Sequence, residues 1–201
     1  MEFFSTFYFW NSMLKGVVKL RIICLGDSLT YGYGVKRAKS YPIQLRNILY
    51  EEGIEANVIN QGVNGLTTGD LSKNISRKMI NLEQGDIVLI LIGSNDLLNL
   101  RLSTSKYIQT YRELIGIIKE RGCKLYIATL PPIESIVLYG DDPEHRRQKY
   151  NKQLRNTAYE NDLEIVELAN LDKSLLSDGV HFGVQGYYHI AQAFYDEIFS
   201  L

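Results

Sequence analysis

A serine and an Asp–His pair are the residues of this sequence whose types and spacing could support nucleophilic chemistry. Ser28 follows a short apolar run and Gly26, so it lies just past the carboxyl end of a predicted strand, where open α/β sheets place ligand sites. Near the chain end, Asp178 and His181 are three residues apart, a spacing that brings two side chains to the same side of one turn. A carboxylate that accepts from one ring nitrogen leaves the other nitrogen free as a base. These residues suffice for acyl transfer if donors for a developing oxyanion are also present.

Each of these patterns also has a simpler structural interpretation. Ser28 could cap the helix that follows it, and an isolated Asp-x-x-His is more often a surface turn with a local hydrogen bond. The loops after the second and third predicted strands carry Gly65 and Asn95. Taken alone, Gly65 could be a turn residue and Asn95 a helix cap.

The histidines differ in their surroundings. His145 lies in the charged run 144–147, which is typical of a solvated helix surface, and His189 lies within a predicted helix without a carboxylate at useful spacing. Only His181 has a paired acid, so it is the candidate base.

Alternating strands and helices must position these residues. Five apolar segments predict strands, at 22–25, 56–60, 86–92, 124–130 and 164–168. The intervening segments predict helices at about 41–52, 67–81, 105–121, 142–161 and 184–199. Because 86–92 is apolar without alternation, we expect it in the centre of a parallel sheet. The pattern predicts a single three-layer α/β/α domain with a five-stranded parallel sheet.

Composition excludes several classes of protein. With 22 basic and 23 acidic residues among 201, the chain has no electrostatic footprint for nucleic acid. The two cysteines, Cys24 and Cys123, fall in or beside predicted strands and are expected to be buried thiols rather than a disulfide. No Cys/His spacing indicates a zinc site. We therefore expect an ordinary globular domain without a zinc site.

Residues 1–18 lie outside this alternation and are strongly aromatic. Glu2 stands where a signal peptide carries positive charge and no clear cleavage site follows, so the sequence favours a cytoplasmic protein over a secreted one. The apolar stretch is shorter than the roughly 20 residues that span a bilayer. We interpret 1–18 as an appended segment, before a domain at 19–201, that packs on the domain or forms a homo-oligomer contact. A membrane-surface anchor is less favoured because the segment lacks a basic face.

Four blocks together resemble the SGNH hydrolases, also called the GDSL esterase/lipase family. They are Gly26-Asp27-Ser28-Leu29, Asn60-Gln61-Gly62-Val63-Asn64-Gly65, Gly93-Ser94-Asn95-Asp96 and Asp178-Gly179-Val180-His181. The resemblance runs from about Lys19 to the end of the chain in the family's order. Ser94 stands where a second glycine is common, which should leave the neighbouring amide donor in place. The resemblance implies the flavodoxin-like SGNH hydrolase fold.

The resemblance also implies a role for each candidate residue. Ser28 would be the nucleophile, His181 the general base and later acid, and Asp178 the residue that orients His181. The oxyanion hole would comprise the backbone N–H groups of Ser28 and Gly65 and the side-chain amide of Asn95. Glycine allows the backbone to approach the substrate closely, and an amide donates at any working pH.

Two neighbouring features refine this interpretation. Asp27 and Asp96 are next to the candidate site residues and are interpreted as holding loops together rather than as reacting groups. No Gly-x-Ser-x-Gly elbow surrounds Ser28, which disfavours an α/β-hydrolase.

The implied activity is that of a serine esterase or acyl hydrolase, which cleaves carboxylic esters through an acyl-enzyme without metal or cofactor. Two apolar stretches, 97–102 and 133–139, could line a pocket for a short or medium acyl chain, or the leucines of the first could begin a helix and pack inward. A carbohydrate O-deacetylase on the same fold is the main alternative, which stays open because aromatic and acidic residues suited to a sugar are present, namely Tyr31, Tyr33, Tyr139 and Asp141. A non-catalytic binding module is disfavoured because every expected site position is filled.

Overall fold

The computed structural model of the protein describes residues 20–99, 101–134 and 142–199. The appended segment 1–18, Leu100, Tyr139 and Asp141 therefore lie outside the described residues, as does most of the apolar stretch 133–139.

Five parallel strands form the sheet, and the three central ones are largely buried on both faces. The five strands are β1 (Leu20–Gly26), β2 (Ala56–Gly62), β3 (Ile87–Leu91), β4 (Lys124–Ala128) and β5 (Glu164–Val166). The strand order is β2-β1-β3-β4-β5, and every pairing is parallel. All of β3 is buried, and it occupies the centre of the sheet as predicted. The chain reverses direction across the sheet between β1 and β3, which creates a topological switch point at their carboxyl ends.

Helices cover both faces of this sheet. Among the described residues they are α1 (Ser28–Tyr31), α2 (Tyr41–Glu51), α3 (Thr68–Ser76), α4 (Ser94–Leu98), α5 (Thr104–Lys119), α6 (Pro143–Glu160) and α7 (Val184–Phe199). The apolar faces of α3, α5 and α6 pack on one side of the sheet, and those of α2 and α7 pack on the other. The predicted three-layer architecture is thereby confirmed.

Alternate residues of β1 supply the two cores. Ile23 and Leu25 face the layer of α3, α5 and α6, whereas Ile22 and Cys24 face the layer of α2 and α7. Complete burial of an Ile or Leu side chain contributes about 1.5–3 kcal/mol each, so this strand is firmly held at its centre. Cys24 is a free buried thiol, and Cys123 is a free thiol that is only partly buried.

The structure corrects the predicted helix at 67–81. Helix α3 ends at Ser76, and Lys78 adopts a left-handed conformation with φ of 56° that breaks the helical path. Met79, expected in the buried stripe, is 69% exposed, while Ile80 and Leu82 still reach the core. The apolar spacing thus continues beyond the helix on irregular chain, which periodicity alone does not distinguish.

The sequence predicted that the charged run 144–147 is a solvated helix surface. The structure shows that two of its residues are buried instead. His145 is exposed, but Arg147 is buried against Glu144, with a 2.6 Å ion pair, and donates to the carbonyl of Leu130 at 2.8 Å. Arg146 is buried too and donates to the carbonyl of Leu102 at 2.9 Å. Guanidinium groups offer several donors in a fixed geometry, so the first turns of α6 can hold the loops that follow β3 and β4.

Within the three described ranges, no helix combines the length and the apolar character needed to span a bilayer.

Candidate active site

Ser28 begins a one-turn helix directly after β1. The carboxylate of Asp27 caps this helix by accepting from the backbone N–H of Leu29 at 3.0 Å, so the alternative that Ser28 is the cap is wrong. A Cβ on Gly26 would lie 2.0 Å from the carbonyl oxygen of Leu91, and glycine therefore lets β1 turn sharply against β3. This turn presents Ser28 at the switch point of the sheet.

Ser28, His181 and Asp178 form a continuous hydrogen-bonded path. His181 Nε2 lies 2.9 Å from Ser28 Oγ, and His181 Nδ1 lies 2.8 Å from Asp178 Oδ2. An ionised carboxylate only accepts, so Nδ1 carries the proton and Nε2 is the acceptor that faces the serine hydroxyl. This arrangement can withdraw the serine proton as the oxygen attacks an electrophile.

The loop that carries the acid and the base is fixed by its own backbone. Asp178 Oδ1 accepts from the N–H of Val180 at 3.0 Å and from the N–H of His181 at 2.7 Å. Ser177 donates from both its N–H and its hydroxyl to the carbonyl of His181. Burial acts to raise the pKa of Asp178, but hydrogen bonds from His181 and Val180 outweigh it and hold that pKa below its usual value. The carboxylate therefore stays ionised beside the imidazole.

Candidate oxyanion donors lie on three loops at the same sheet edge. Asn95 Nδ2 donates to the carbonyl of Leu66 at 2.9 Å, which fixes the amide and leaves its second N–H free in the described structure. Gly65 adopts a φ of +76°, a conformation that favours glycine, in the turn after β2. The backbone N–H groups of Ser28 and Gly65 donate to no acceptor among the described residues.

Asn95 is not a helix cap. It is the second residue of α4, a short helix whose N-cap is Gly93. Its amide is thus available for a role other than capping.

The acidic neighbours hold the loops together, as the sequence predicts. Asp96 Oδ2 accepts from the N–H of Thr68 at 2.9 Å and from its hydroxyl at 3.1 Å, and so ties α4 to α3. Asp27 is 1% exposed, and burial raises its pKa to about 6, against the opposing hydrogen bond from Leu29. Its Oδ2 has no hydrogen-bond partner among the described residues, although the N–H groups of Gly93 and Ser94 lie near enough to lower the pKa.

The sequence singled out Tyr33 only as a residue suited to a sugar and did not predict its contact with His181. Its ring centroid lies 4.4 Å from that of His181, and its carbonyl accepts from the hydroxyl of Tyr187 at 2.8 Å. The two rings in contact are far apart in the chain, so no spacing pattern could reveal the contact. The other histidines, His145 and His189, are exposed on α6 and α7, away from such a network.

The apolar stretches expected near the site are largely used in the core. Leu97 is 1% exposed and Ile133 is 4% exposed, and both belong to the core under α3, α5 and α6. The alternative that the leucines of 97–102 pack inward therefore holds for Leu97, whereas Leu98 is 36% exposed. Among the described residues, no cluster of three or more His, Cys, Asp or Glu side chains could hold a metal ion.

Comparison with known proteins adds sequence and structural relatives. The model of the GDSL-like Lipase/Acylhydrolase family matches residues 24–189. An arylesterase of Vibrio mimicus is 33% identical over 115 residues, which span 56% of this chain and 56% of that protein. The matched region is thus about half the length of this curated relative.

Two solved structures share the fold. A lipolytic protein of the G-D-S-L family from Veillonella parvula is 20% identical, with a TM-score of 0.77 over 90% of this chain and 100% of that one. The acetyl xylan esterase AlAXEase is 20% identical, with a TM-score of 0.74 over 88% of this chain and 98% of that one. At this identity, the likeness shows a common architecture.

Proposed function

The chain belongs to the GDSL-like lipase/acylhydrolase family, and we propose that it hydrolyses carboxylic esters through an acyl-enzyme formed on Ser28. The observation that carries this proposal is the hydrogen-bonded path from Ser28 Oγ through His181 to Asp178, with separations of 2.9 Å and 2.8 Å. A serine hydroxyl is a weak nucleophile unless an adjacent base takes its proton, and this path supplies such a base.

In the proposed acylation step, Ser28 Oγ attacks the ester carbonyl carbon while His181 Nε2 takes the hydroxyl proton. The carbonyl oxygen becomes an oxyanion, which would accept from the N–H groups of Ser28 and Gly65 and from the free N–H of Asn95. Collapse of this intermediate breaks the bond to the alcohol oxygen, and the proton on His181 passes to the departing alkoxide. The products of the step are the alcohol and the acylated serine.

Deacylation runs through the same groups. His181 takes a proton from water as the water oxygen attacks the acyl carbonyl, and the new oxyanion uses the same donors. The bond to Ser28 Oγ then breaks, and His181 returns its proton to the serine as the acid leaves. Asp178 stays ionised throughout, and its low pKa suits that role.

For the substrate, we propose an ester with a short acyl chain. Support comes from Leu97 and Ile133, which pack in the core and so do not offer their side chains to a long apolar chain. In the loop after the nucleophile, Tyr31 is 46% exposed and presents an apolar face to solvent. This exposed face suits a flat or aromatic alcohol group.

A carbohydrate O-deacetylase is the second candidate function, and the exposed ring of Tyr31 favours it as well. Exposed aromatic faces can stack on a sugar ring, and an acetyl group is the shortest common acyl chain. The arylesterase relative and the acetyl xylan esterase of similar fold are named for these two kinds of substrate.

The test is hydrolysis of p-nitrophenyl esters, from acetate to dodecanoate, by the wild type, Ser28→Ala and the control Ser174→Ala. Ser174 is exposed and lies in a short turn outside the site, so its variant should match the wild type. We expect activity to be greatest on acetate or butyrate and to be lost in Ser28→Ala. Acetylated xylo-oligosaccharides, compared with phenyl acetate, separate the two substrate classes.

A non-catalytic binding module makes a different prediction. It should neither turn over any ester nor react with a fluorophosphonate at Ser28. If the folded wild type fails in both assays, the proposed function is wrong.

A further inference from the structure

A half-exposed tyrosine lies against the imidazole of the candidate base. The ring centroids of Tyr33 and His181 are 4.4 Å apart, and the ring planes are inclined by 40°. Because 47% of Tyr33 is open to solvent, the core does not explain its position. The separation is within the roughly 6 Å at which a cation over an aromatic face is stabilised by the ring quadrupole.

The loop that carries Tyr33 is shaped to hold the ring in this place. Gly32 and Gly34 flank it with φ values of +89° and +83°, so the chain turns on both sides of the tyrosine. A Cβ on Gly32 would lie 2.4 Å from the Cβ of Ser40, so the loop also packs too closely for another residue there.

A second element secures the same loop. The hydroxyl of Tyr187, a fully buried residue of α7, donates to the carbonyl of Tyr33 at 2.8 Å. Helix α7 starts three residues after His181, so one short stretch of chain carries both the imidazole and the anchor of the tyrosine loop. The relative position of the two rings is therefore fixed from both sides.

We propose that Tyr33 is a positioning residue, which holds the His181 ring in line between Ser28 and Asp178 and stabilises its positive charge during the reaction. This inference rests on the proposed ester hydrolysis. The two hydrogen bonds of His181 lie in the plane of its ring and restrain its face weakly. When the serine proton moves to Nε2, this nitrogen changes from acceptor to donor and the ring becomes an imidazolium. A π face beside it opposes rotation and favours that charged state.

The experiment compares kcat and KM for p-nitrophenyl acetate in the wild type, Tyr33→Phe and Tyr33→Leu. Phenylalanine keeps the π face and should retain nearly the wild-type kcat, whereas leucine keeps apolar bulk without a π face. From the usual strength of exposed cation–π contacts, we expect Tyr33→Leu to lower kcat about two- to fivefold with KM little changed. The ring-current shift of the His181 Hε1 proton in NMR spectra should persist in Tyr33→Phe and disappear in Tyr33→Leu.

A matched control is Tyr188→Leu. Tyr188 is a similarly exposed tyrosine whose ring contacts a histidine outside the site, His189, at 6.2 Å. This variant should leave kcat unchanged.

Several outcomes would overturn the inference. If Tyr33→Leu changes KM alone, Tyr33 acts through substrate binding; if Tyr33→Phe falls as far as Tyr33→Leu, the hydroxyl is responsible. If Tyr33→Leu does not fold, phenylalanines of increasing fluorination at position 33 keep the ring shape while removing its negative face. A kcat that falls with fluorination supports the proposal, and a constant kcat refutes it. If the wild type shows no Ser28-dependent hydrolysis, the proposed function itself is wrong. If the wild type is active and Tyr33→Leu has the same kcat, only the inference about Tyr33 is wrong.

Discussion

The three candidate oxyanion donors differ in how a single residue change would affect them. Ser28 and Gly65 would donate through backbone N–H groups, whereas Asn95 would donate through its side chain. Replacement of Asn95 therefore removes one donor and leaves both backbone donors in place, although it also removes the hydrogen bond to the carbonyl of Leu66, a buried residue. Asn95 is thus the residue at which the electrostatic part of the proposed mechanism can be tested by itself.

We predict that Asn95→Ala lowers kcat about 10²–10³-fold with little change in KM, because the lost hydrogen bond is strongest to the transition state. Asn95→Asp should be worse, since it adds negative charge beside the oxyanion. Steady-state kinetics on p-nitrophenyl acetate measure both. Asn47→Ala, which removes an exposed amide from α2, is the matched control. An unchanged kcat in Asn95→Ala would remove Asn95 from the oxyanion hole.

Residue types and order could predict Ser28, Asp178 and His181 as a set, because each follows a recognisable strand or turn signal. They could not predict Tyr33, whose contact with His181 depends on the packing of two loops. The burial of Arg147 could not be predicted either, because a charged run is typical of a solvated surface. Only the structure shows that Arg147 donates to the carbonyls of Leu130 and Ala169.

Among the helices and strands, the positions of the strands could be predicted from apolar runs. The long helices could be predicted from the spacing of their apolar residues. The short helices α1 and α4 could not, because a single turn has no periodicity and is stabilised by its surroundings. Helix α1 depends on the carboxylate of Asp27, and α4 follows Gly93, whose φ of 131° is open chiefly to glycine. The sequence offered both helices only as alternatives, through a possible cap at Ser28 and at Asn95.

Two helix glycines give a matched test of packing next to the site. A Cβ on Gly116 in α5 would meet open space, whereas a Cβ on Gly186 in α7 would lie 2.4 Å from Cδ1 of Phe182. Phe182 is fully buried and follows His181 directly, so it cannot move without disturbing the base.

We predict opposite effects of alanine at these positions. Gly116→Ala should raise the free energy of unfolding by about 1 kcal/mol, because alanine is the better helix former. Gly186→Ala should lower it by about 1–3 kcal/mol through overpacking, and should also reduce kcat by displacing His181. Urea unfolding and kinetics on both variants measure these effects. Equal stability of the two variants would mean that Phe182 yields without cost.

For the whole molecule, the sheet order explains why the site lies where it does. β1 and β3 are neighbours, but the chain passes from β1 to β2 on one side of β1 and then crosses to β3 on its other side. The loops after β1 and β3, which carry Ser28 and Asn95, therefore open a crevice instead of packing under a connecting helix. The role of residues 1–18 in a homo-oligomer stays a prediction, because that segment lies outside the described residues.

Global stability should depend on pH through Asp27, a buried carboxyl that caps α1 directly after β1. Burial raises the pKa of this carboxyl from 3.8 to about 6, and the nearby charge of Asp96 acts in the same direction. Between these values the folded protein keeps a proton that the unfolded chain has lost. The free energy of unfolding therefore decreases as pH rises through this range, and the contribution of Asp27 is greatest below pH 4 and lost above about pH 6.

We predict that Asp27→Asn removes this part of the pH dependence, because a neutral amide does not titrate while its oxygen can still accept from Leu29. Two pKa units correspond to about 3 kcal/mol, so the loss of stability between acid and neutral pH should be smaller by about that amount in the variant. Urea unfolding of both proteins across this range measures the difference, in which carboxyls that do not interact with Asp27 cancel. If the free energies of unfolding of the two proteins vary in parallel with pH, Asp27 is already ionised in the folded protein at acid pH. Its buried carboxylate would then be stabilised by the N–H groups of Gly93 and Ser94 more strongly than their geometry indicates.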